Sequence, residues 1–157
     1  LLNGSAELLV VYDEESSLEV AYALVLTKNL YGYVLLKYMA VLPWYRGKGV
    51  GIAAMRLINK RYADRQGIIA ELTSFEDEDG SMIKGLRKFF ARFGYVVVDS
   101  DYRIGGAPVE LMVKPIKGTF EIEPVEHRII RDFYTRVLNP FAMDKMIDIR
   151  PVRKPEE

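Results

Sequence analysis

The hydrophobic pattern changes period abruptly a third of the way along the chain. From Tyr33 to Leu42 apolar residues run almost without interruption, as they do in a strand covered on both faces. Pro43 has no N–H to give to a ladder and ends the run. Beyond it, Val50, Ala53, Ala54, Leu57, Ile58 and Tyr62 recur at steps of three and four, the spacing of an amphipathic helix. Between the two lies Arg46-Gly47-Lys48-Gly49-Val50-Gly51, with three alternating glycines. A buried strand that turns directly into an amphipathic helix demands a layered structure, with the helix stripe packed on a sheet.

The flanking sequence supplies that sheet. Leu8 to Tyr12 and Leu18 to Leu26 bracket the polar Asp13-Glu14-Glu15-Ser16-Ser17 and read as a strand–turn–strand hairpin, with Tyr22, Leu24 and Leu26 on one face. Gly67 is placed to stop the first helix. Ile68 to Thr73 is strand-like, and an acidic loop, Glu76 to Asp79, follows. Ser81 is expected to cap a second helix, with stripe Ile83, Leu86, Phe89, Phe90 and Phe93 and a stop at Gly94. Tyr95 to Val98 and Val109 to Val113 are strands about a Gly105-Gly106 turn. The order β-β-β-α-β-α-β-β predicts an α/β (α+β) fold with a mixed, mostly antiparallel central sheet and crossover helices. Composition shifts after Pro115. We divide the chain into a core, residues 1–118, and a C-terminal extension, residues 119–157, with one helix opening near Pro124 (stripe Ile129, Ile130, Phe133 and Val137) and a tail that frays from Arg150.

Composition narrows the chemistry. The 157 residues suffice for one domain without a metal or disulfide staple. With no Cys, disulfides, thiolate nucleophiles and Cys-type zinc sites are excluded. A single His, His127, leaves multi-histidine metal sites out as well, and it reads as an exposed residue of the last helix. Twenty-two basic residues balance 22 acidic ones, so there is no global footprint for nucleic acid. No apolar stretch approaches the ~20 residues of a membrane helix, and no signal-type segment opens the chain. The expected setting is cytoplasmic, with no membrane partner. Exposed hairpin edges and the C-terminal extension leave room for a homodimer.

The glycine loop carries the chemistry. Glycines let backbone turn tightly and approach a ligand closely. Free N–H groups at a helix start carry roughly +0.5 elementary charge, and Arg46 and Lys48 add full charges. Such a loop suits an anion, although a simple connection between strand and helix has the same appearance. It is not a Walker A loop, because Ile52 follows Gly51, and Gly47, Gly49 and Gly51 lack the Gly-x-Gly-x-x-Gly spacing of a dinucleotide fold.

The segment Val41-Leu42-Pro43-Trp44-Tyr45-Arg46-Gly47-Lys48-Gly49-Val50-Gly51 resembles the signature of the GCN5-related N-acetyltransferase (GNAT) superfamily, Arg/Gln-x-x-Gly-x-Gly/Ala after a strand ending in Val-x-Pro. Phe89-Phe90-Ala91-Arg92-Phe93-Gly94-Tyr95 is similar to the family's Phe-Tyr-x-x-x-Gly-Phe, and strand order agrees from about residue 7 to residue 116. The resemblance implies acetyl-CoA as donor and an amine of a small molecule or peptide as acceptor. It implies pyrophosphate on the amides of Arg46, Gly47, Lys48, Gly49, Val50 and Gly51, the pantetheine arm paired with backbone at Met39, Ala40 and Val41, and contacts from Phe89 and Arg92. A backbone N–H near Val41 would face the acetyl oxygen.

Glu71, a carboxylate in an apolar strand, is the candidate base; its alternative reading is a rim carboxylate paired with a neighbouring Lys or Arg. The family's acid, a Tyr, is replaced by Phe90, and the Asn that precedes it by Ile83. Tyr102 and Tyr38 are the candidates to substitute as acid, although a thiol of pKa near 8.5 is a fair leaving group without one. The resemblance implies an opening strand and two helices ahead of Leu8; we expect that they were removed, lie outside these 157 residues, or are partly replaced by the helix from about Pro124. The expected activity is N-acetyl transfer by direct attack; the alternative is a non-catalytic acyl-CoA-binding module.

Overall fold

A computed structural model describes residues 4–73, 80–118 and 128–150. The acidic loop at 76–79, Pro124, His127 and the tail beyond 150 lie outside them.

The first two strands, β1 (Ala6–Tyr12) and β2 (Glu19–Leu26), form the expected hairpin, and β2 then pairs antiparallel with β3 (Tyr33–Val41). The helix α1 (Val50–Arg61) crosses over to β4 (Gly67–Leu72), which lies parallel to β3. The helix α2 (Ser81–Ala91) leads to β5 (Val96–Ile104), which turns through Gly105-Gly106 into β6 (Ala107–Pro115). Among the described residues the sheet has seven strands in the order β1-β2-β3-β4-β6-β5-β7, and β3–β4 is its parallel pair. This is the mixed, mostly antiparallel sheet with crossover helices that the pattern predicts.

The extension does more than its stripe suggests. It holds two short helices, α3 (Ile130–Thr135) and α4 (Pro140–Met146), and a strand, β7 (Ile147–Arg150), that pairs with β5 at the sheet edge. One helix is therefore corrected to two helices and a strand. The second helix starts where Asn139 accepts a 2.8 Å hydrogen bond from Ala142 N and Pro140 opens the first turn. Asp132 on α3 also accepts a 2.7 Å hydrogen bond from Leu30 N, which ties the extension to the β2–β3 loop.

Each face of the sheet has its own core. On one, α1 and α2 cover Val25, Val34, Leu36, Ile68, Ala70 and Met112. On the other, Ile129, Ile130, Phe133, Tyr134 and Met143 of the extension cover Leu26, Leu35, Ile69, Leu111 and Val113. Full burial of each Val, Leu, Ile, Phe or Met side chain among them contributes roughly 1.5–3 kcal/mol. Tyr22, Leu24 and Leu26 do share a face, but the extension covers that face only at the Leu26 end, and Tyr22 is left exposed.

Three local expectations are corrected. The buried stripe of α1 is Ala54, Met55 and Ile58, so the helix is rotated and Leu57 instead borders a groove with Leu9, Val10 and Tyr22. Ser81 does not cap α2; Gly80 occupies the cap position with a left-handed backbone, and Ser81 is the first helical residue. Gly67 does not stop α1, which ends at Arg61. It begins β4, where a Cβ would lie 2.7 Å from both the Lys114 carbonyl oxygen and a ring carbon of Tyr33. Backbone cannot recede from a methyl group as a flexible side chain can. Gly67→Ala is expected to cost about 1–3 kcal/mol of overpacking, read as a lower midpoint in urea unfolding.

Candidate functional site

The parallel pairing of β3 with β4 lasts four residues, from Tyr33 opposite Gly67 to Leu36 opposite Ala70. Its end coincides with an irregularity on the other side of β3. Leu24 of β2 faces Tyr38 and Val25 faces Leu36, so Lys37 is one residue too many. A bulge of this kind bends its strand and breaks the ladder. Beyond it β3 follows β2 as far as Val41 opposite Ala21, while β4 follows β6 as far as Leu72 opposite Glu110. The edge of β3 from Lys37 to Val41 thus faces a gap instead of a partner strand. A cavity of about 150 Å³ occupies the gap, bordered by Lys37, Tyr38 and Met39 of β3, Glu71 and Leu72 of β4, and Phe89 and Phe90 of α2.

The glycine loop closes the far end of this edge. A 3-10 turn, Pro43–Tyr45, reverses the chain, and Arg46 Nε donates a 3.1 Å hydrogen bond back to the Val41 carbonyl. Gly47 and Gly49 have φ of +73° and +80°, a region that side chains with Cβ rarely enter. A Cβ on either would meet nothing within 4 Å, so space lies open over the loop. Gly49 is the cap residue of α1 and no side chain caps it; the first helical bond runs from Ala53 N to Gly49 O, 3.1 Å. The amides ahead of Ala53 therefore have no partner within the helix. They follow directly on the exposed loop that carries Arg46 and Lys48. A Cβ on Gly51 would lie 3.6 Å from Val41 and 3.9 Å from Phe89, so the loop, the β3 edge and α2 meet at one place. Met39, Ala40, Val50 and Phe89 are half-buried around it, and Arg92 is exposed at the end of α2.

Glu71 stands at the opposite end, where β4 leaves β3. Its side chain is 1% exposed and forms an ion pair with Lys37 Nζ. Its other donors are Tyr102 of β5, at 2.9 Å, and Tyr134 of α3, at 2.8 and 2.9 Å to the two carboxylate oxygens. A buried carboxylate needs such partners, because without them its desolvation would cost several kcal/mol. The sequence left Glu71 as either a base or the partner of a Lys or Arg; the pairing is present, and the carboxylate also borders the cavity. Burial first, and then the Glu71 charge, push the Tyr102 and Tyr134 phenols far above the usual tyrosine value. Tyr102 is 1% exposed and its proton is committed to Glu71. Tyr38 is half-exposed and borders the cavity. Phe90 is buried, edge-on to Phe89 and Tyr95 at 5.5 and 5.1 Å.

Sequence reasoning missed Lys37 and Tyr134. Lys37 is the one charge inside the apolar run from Tyr33 to Leu42, which was the available signal. Tyr134 gave none, since it adjoins Phe133 in an ordinary amphipathic stripe. Among the described residues no cluster of His, Asp or Glu could hold a metal ion, and no helix is long and apolar enough to cross a membrane.

The raised phenols fix a sign for stability against pH. In the unfolded chain both tyrosines ionise near pH 10; in the folded chain they stay protonated. Their contribution is fully present below about pH 10 and is lost as pH rises beyond it, by up to ~1.4 kcal/mol per unit for each phenol. Urea unfolding between about pH 9 and 11 should show this decline, and Tyr102→Phe and Tyr134→Phe should each make it shallower.

Comparison with known proteins agrees with this fold. No curated protein matches by sequence. Among solved structures, a GNAT-family protein of Bacteroides thetaiotaomicron has a TM-score of 0.65 at 18% identity, over 85% of this chain and 73% of that one. Nourseothricin acetyltransferase has a TM-score of 0.57 at 17% identity, over 72% of this chain and 66% of its own. An aminoglycoside 6′-N-acetyltransferase complexed with coenzyme A has a TM-score of 0.53 at 15% identity, over 76% and 78% of the two chains. At such identities the likeness is one of fold. The family model for the GNAT acetyltransferase domain matches residues 4–97, more than half of the chain, and includes β1 to β4, the glycine loop and Glu71. The chain belongs to the GNAT acetyltransferase family.

Proposed function

We propose that the protein transfers an acetyl group from acetyl-CoA to an amine by direct attack, without a covalent enzyme intermediate. The observation that carries this reading is the gap between β3 and β4, which has an anion-binding glycine loop at one end and a buried carboxylate at the other. The residues present fit the donor. The open space over Gly47 and Gly49 admits a phosphate close to backbone, and a Cβ there would intrude. The loop amides and the charges of Arg46 and Lys48 would hold the pyrophosphate. The free edge at Met39 to Val41 would pair with the amides of the pantetheine arm, as a peptide adds to a sheet. Phe89 of α2 and Arg92, the residue that follows the helix, would flank it. A backbone N–H on that edge would stabilise the charge that develops on the acetyl oxygen, an effect worth ~3 kcal/mol.

An amine acceptor has to lose a proton before it attacks. For a lysine-like amine at pH 7 that costs about 4.6 kcal/mol, and Glu71 is the base best placed to take the proton. Amine acceptors also appear among similar folds: the aminoglycoside enzyme above, and a spermidine N-acetyltransferase from Vibrio cholerae with a TM-score of 0.57 at 13% identity over 73% of this chain and 68% of that one. Phe90 supplies no acid at the family's usual position. A thiol with pKa near 8.5 still leaves as thiolate, at the cost of the ~10²–10⁴ that acid catalysis contributes. Phe90 favours a second reading, in which the chain binds acyl-CoA without turning it over.

Calorimetry should detect acetyl-CoA binding at micromolar concentration, and absence of heat would end both readings. Release of free thiol with a panel of amines separates them: a transferase consumes acetyl-CoA with at least one amine, a binding module with none. Gly49→Val forces a branched side chain into positive φ and into the open space. It should weaken acetyl-CoA at least ~30-fold, about 2 kcal/mol, while circular dichroism shows the fold retained. Undiminished affinity would remove the loop from the donor site.

A further inference from the structure

We propose that Lys37 is an acetyl acceptor within its own chain. The inference rests on the acetyl-CoA reading above and concerns what occupies the acceptor position. Lys37 is the unmatched residue of the β3 bulge, and its side chain is 13% exposed. Its ammonium is paired with Glu71 and lies 5.2 and 5.5 Å from the ring centroids of Tyr134 and Tyr38. Lys37 and Glu71 both border the cavity, and Met39, two residues along the same strand, begins the edge assigned to the donor. A primary amine is thus held over two aromatic rings, against a carboxylate, beside the place where a thioester would lie. Any external amine would have to compete for these same groups.

The arrangement also lowers the barriers to reaction. Anchoring at both Cα and Nζ removes most of the rotational freedom that an intermolecular acceptor would lose, which is worth high effective molarity. Glu71 takes one proton from the ammonium. The neutral Nζ adds to the thioester carbonyl carbon, and the new C–N bond forms as the C–S bond breaks. The sulfur leaves as thiolate and receives a second proton from the nitrogen, and Glu71 returns its proton to solvent. The balance is one lysine ammonium and one acetyl-CoA giving one acetyl-lysine, one CoA thiol and one proton. Acetyl-lysine has no charge, so Glu71 then keeps its two phenol donors and loses its cation. The modification therefore changes the charge of the site itself.

The test incubates the full chain with acetyl-CoA and follows each lysine by peptide mass spectrometry, with calorimetry on the same protein. Lys37 should acquire one acetyl group about a hundredfold or more faster than the exposed Lys60 and Lys88. The rate should stay first order and unchanged on dilution of the protein. Glu71→Gln, which keeps shape and hydrogen bonds to the phenols, should slow it by about a hundredfold, the low end for a general base. Acetyl-CoA binding with Lys37 unmodified would overturn the proposal and leave the donor site standing. So would modification no faster than at Lys60 and Lys88, a comparison that needs no variant. Absence of acetyl-CoA binding would overturn the donor site and this proposal together.

Discussion

One extra residue in β3 sets the geometry on which everything else depends. That strand must pair with β2 on one side and β4 on the other, and it does both only as far as Leu36. The bulge at Lys37 inverts the alternation of side chains, so that Leu36 and Met39, three residues apart, both pack toward α1 and α2. It also ends the parallel ladder. The gap that opens would be a defect in an ordinary sheet, because it leaves backbone groups without partners. Here it is the cavity, with hydrogen-bonding backbone along one wall.

The gap is held open by chemistry as well as by backbone. Glu71 lies one residue past the last parallel pair, and its partners come from three other elements: Lys37 from β3, Tyr102 from β5 and Tyr134 from α3. A charge so deeply buried is tolerable only when each acceptor site is satisfied. The pair therefore recruits the C-terminal extension into the site, and α3 brings its apolar residues onto the sheet face that α1 and α2 leave bare. The same helix reaches the β2–β3 loop through Asp132 and Leu30. Removing the extension would uncover the carboxylate and the core together.

The two ends of the gap differ in how far they could be read from sequence. The glycine loop is a local device, and its spacing, its flanking charges and its place between strand and helix are all contiguous. Its positive φ values and uncapped helix start follow from the residues themselves. Glu71 was visible as a misplaced charge, but its partners lie 31 to 63 residues away. The helix stripe failed for the same reason in miniature. Spacing alone admits Leu57 as well as Met55, and only the angle at which α1 meets β1 to β3 decides which is buried. Gly67 looked like a helix stop because glycine often is one; what it answers to is the Lys114 backbone on a strand nearly fifty positions later.

Residue order alone carried the element types, the mixed sheet with its crossover helices, and the loop that marks the family, because each depends on neighbours in the chain. The bulge, the gap between β3 and β4, and the lysine, carboxylate and two phenols gathered at its buried end were decided by tertiary structure. They depend on which strands lie side by side and on the need to satisfy a buried charge, and no local pattern records either.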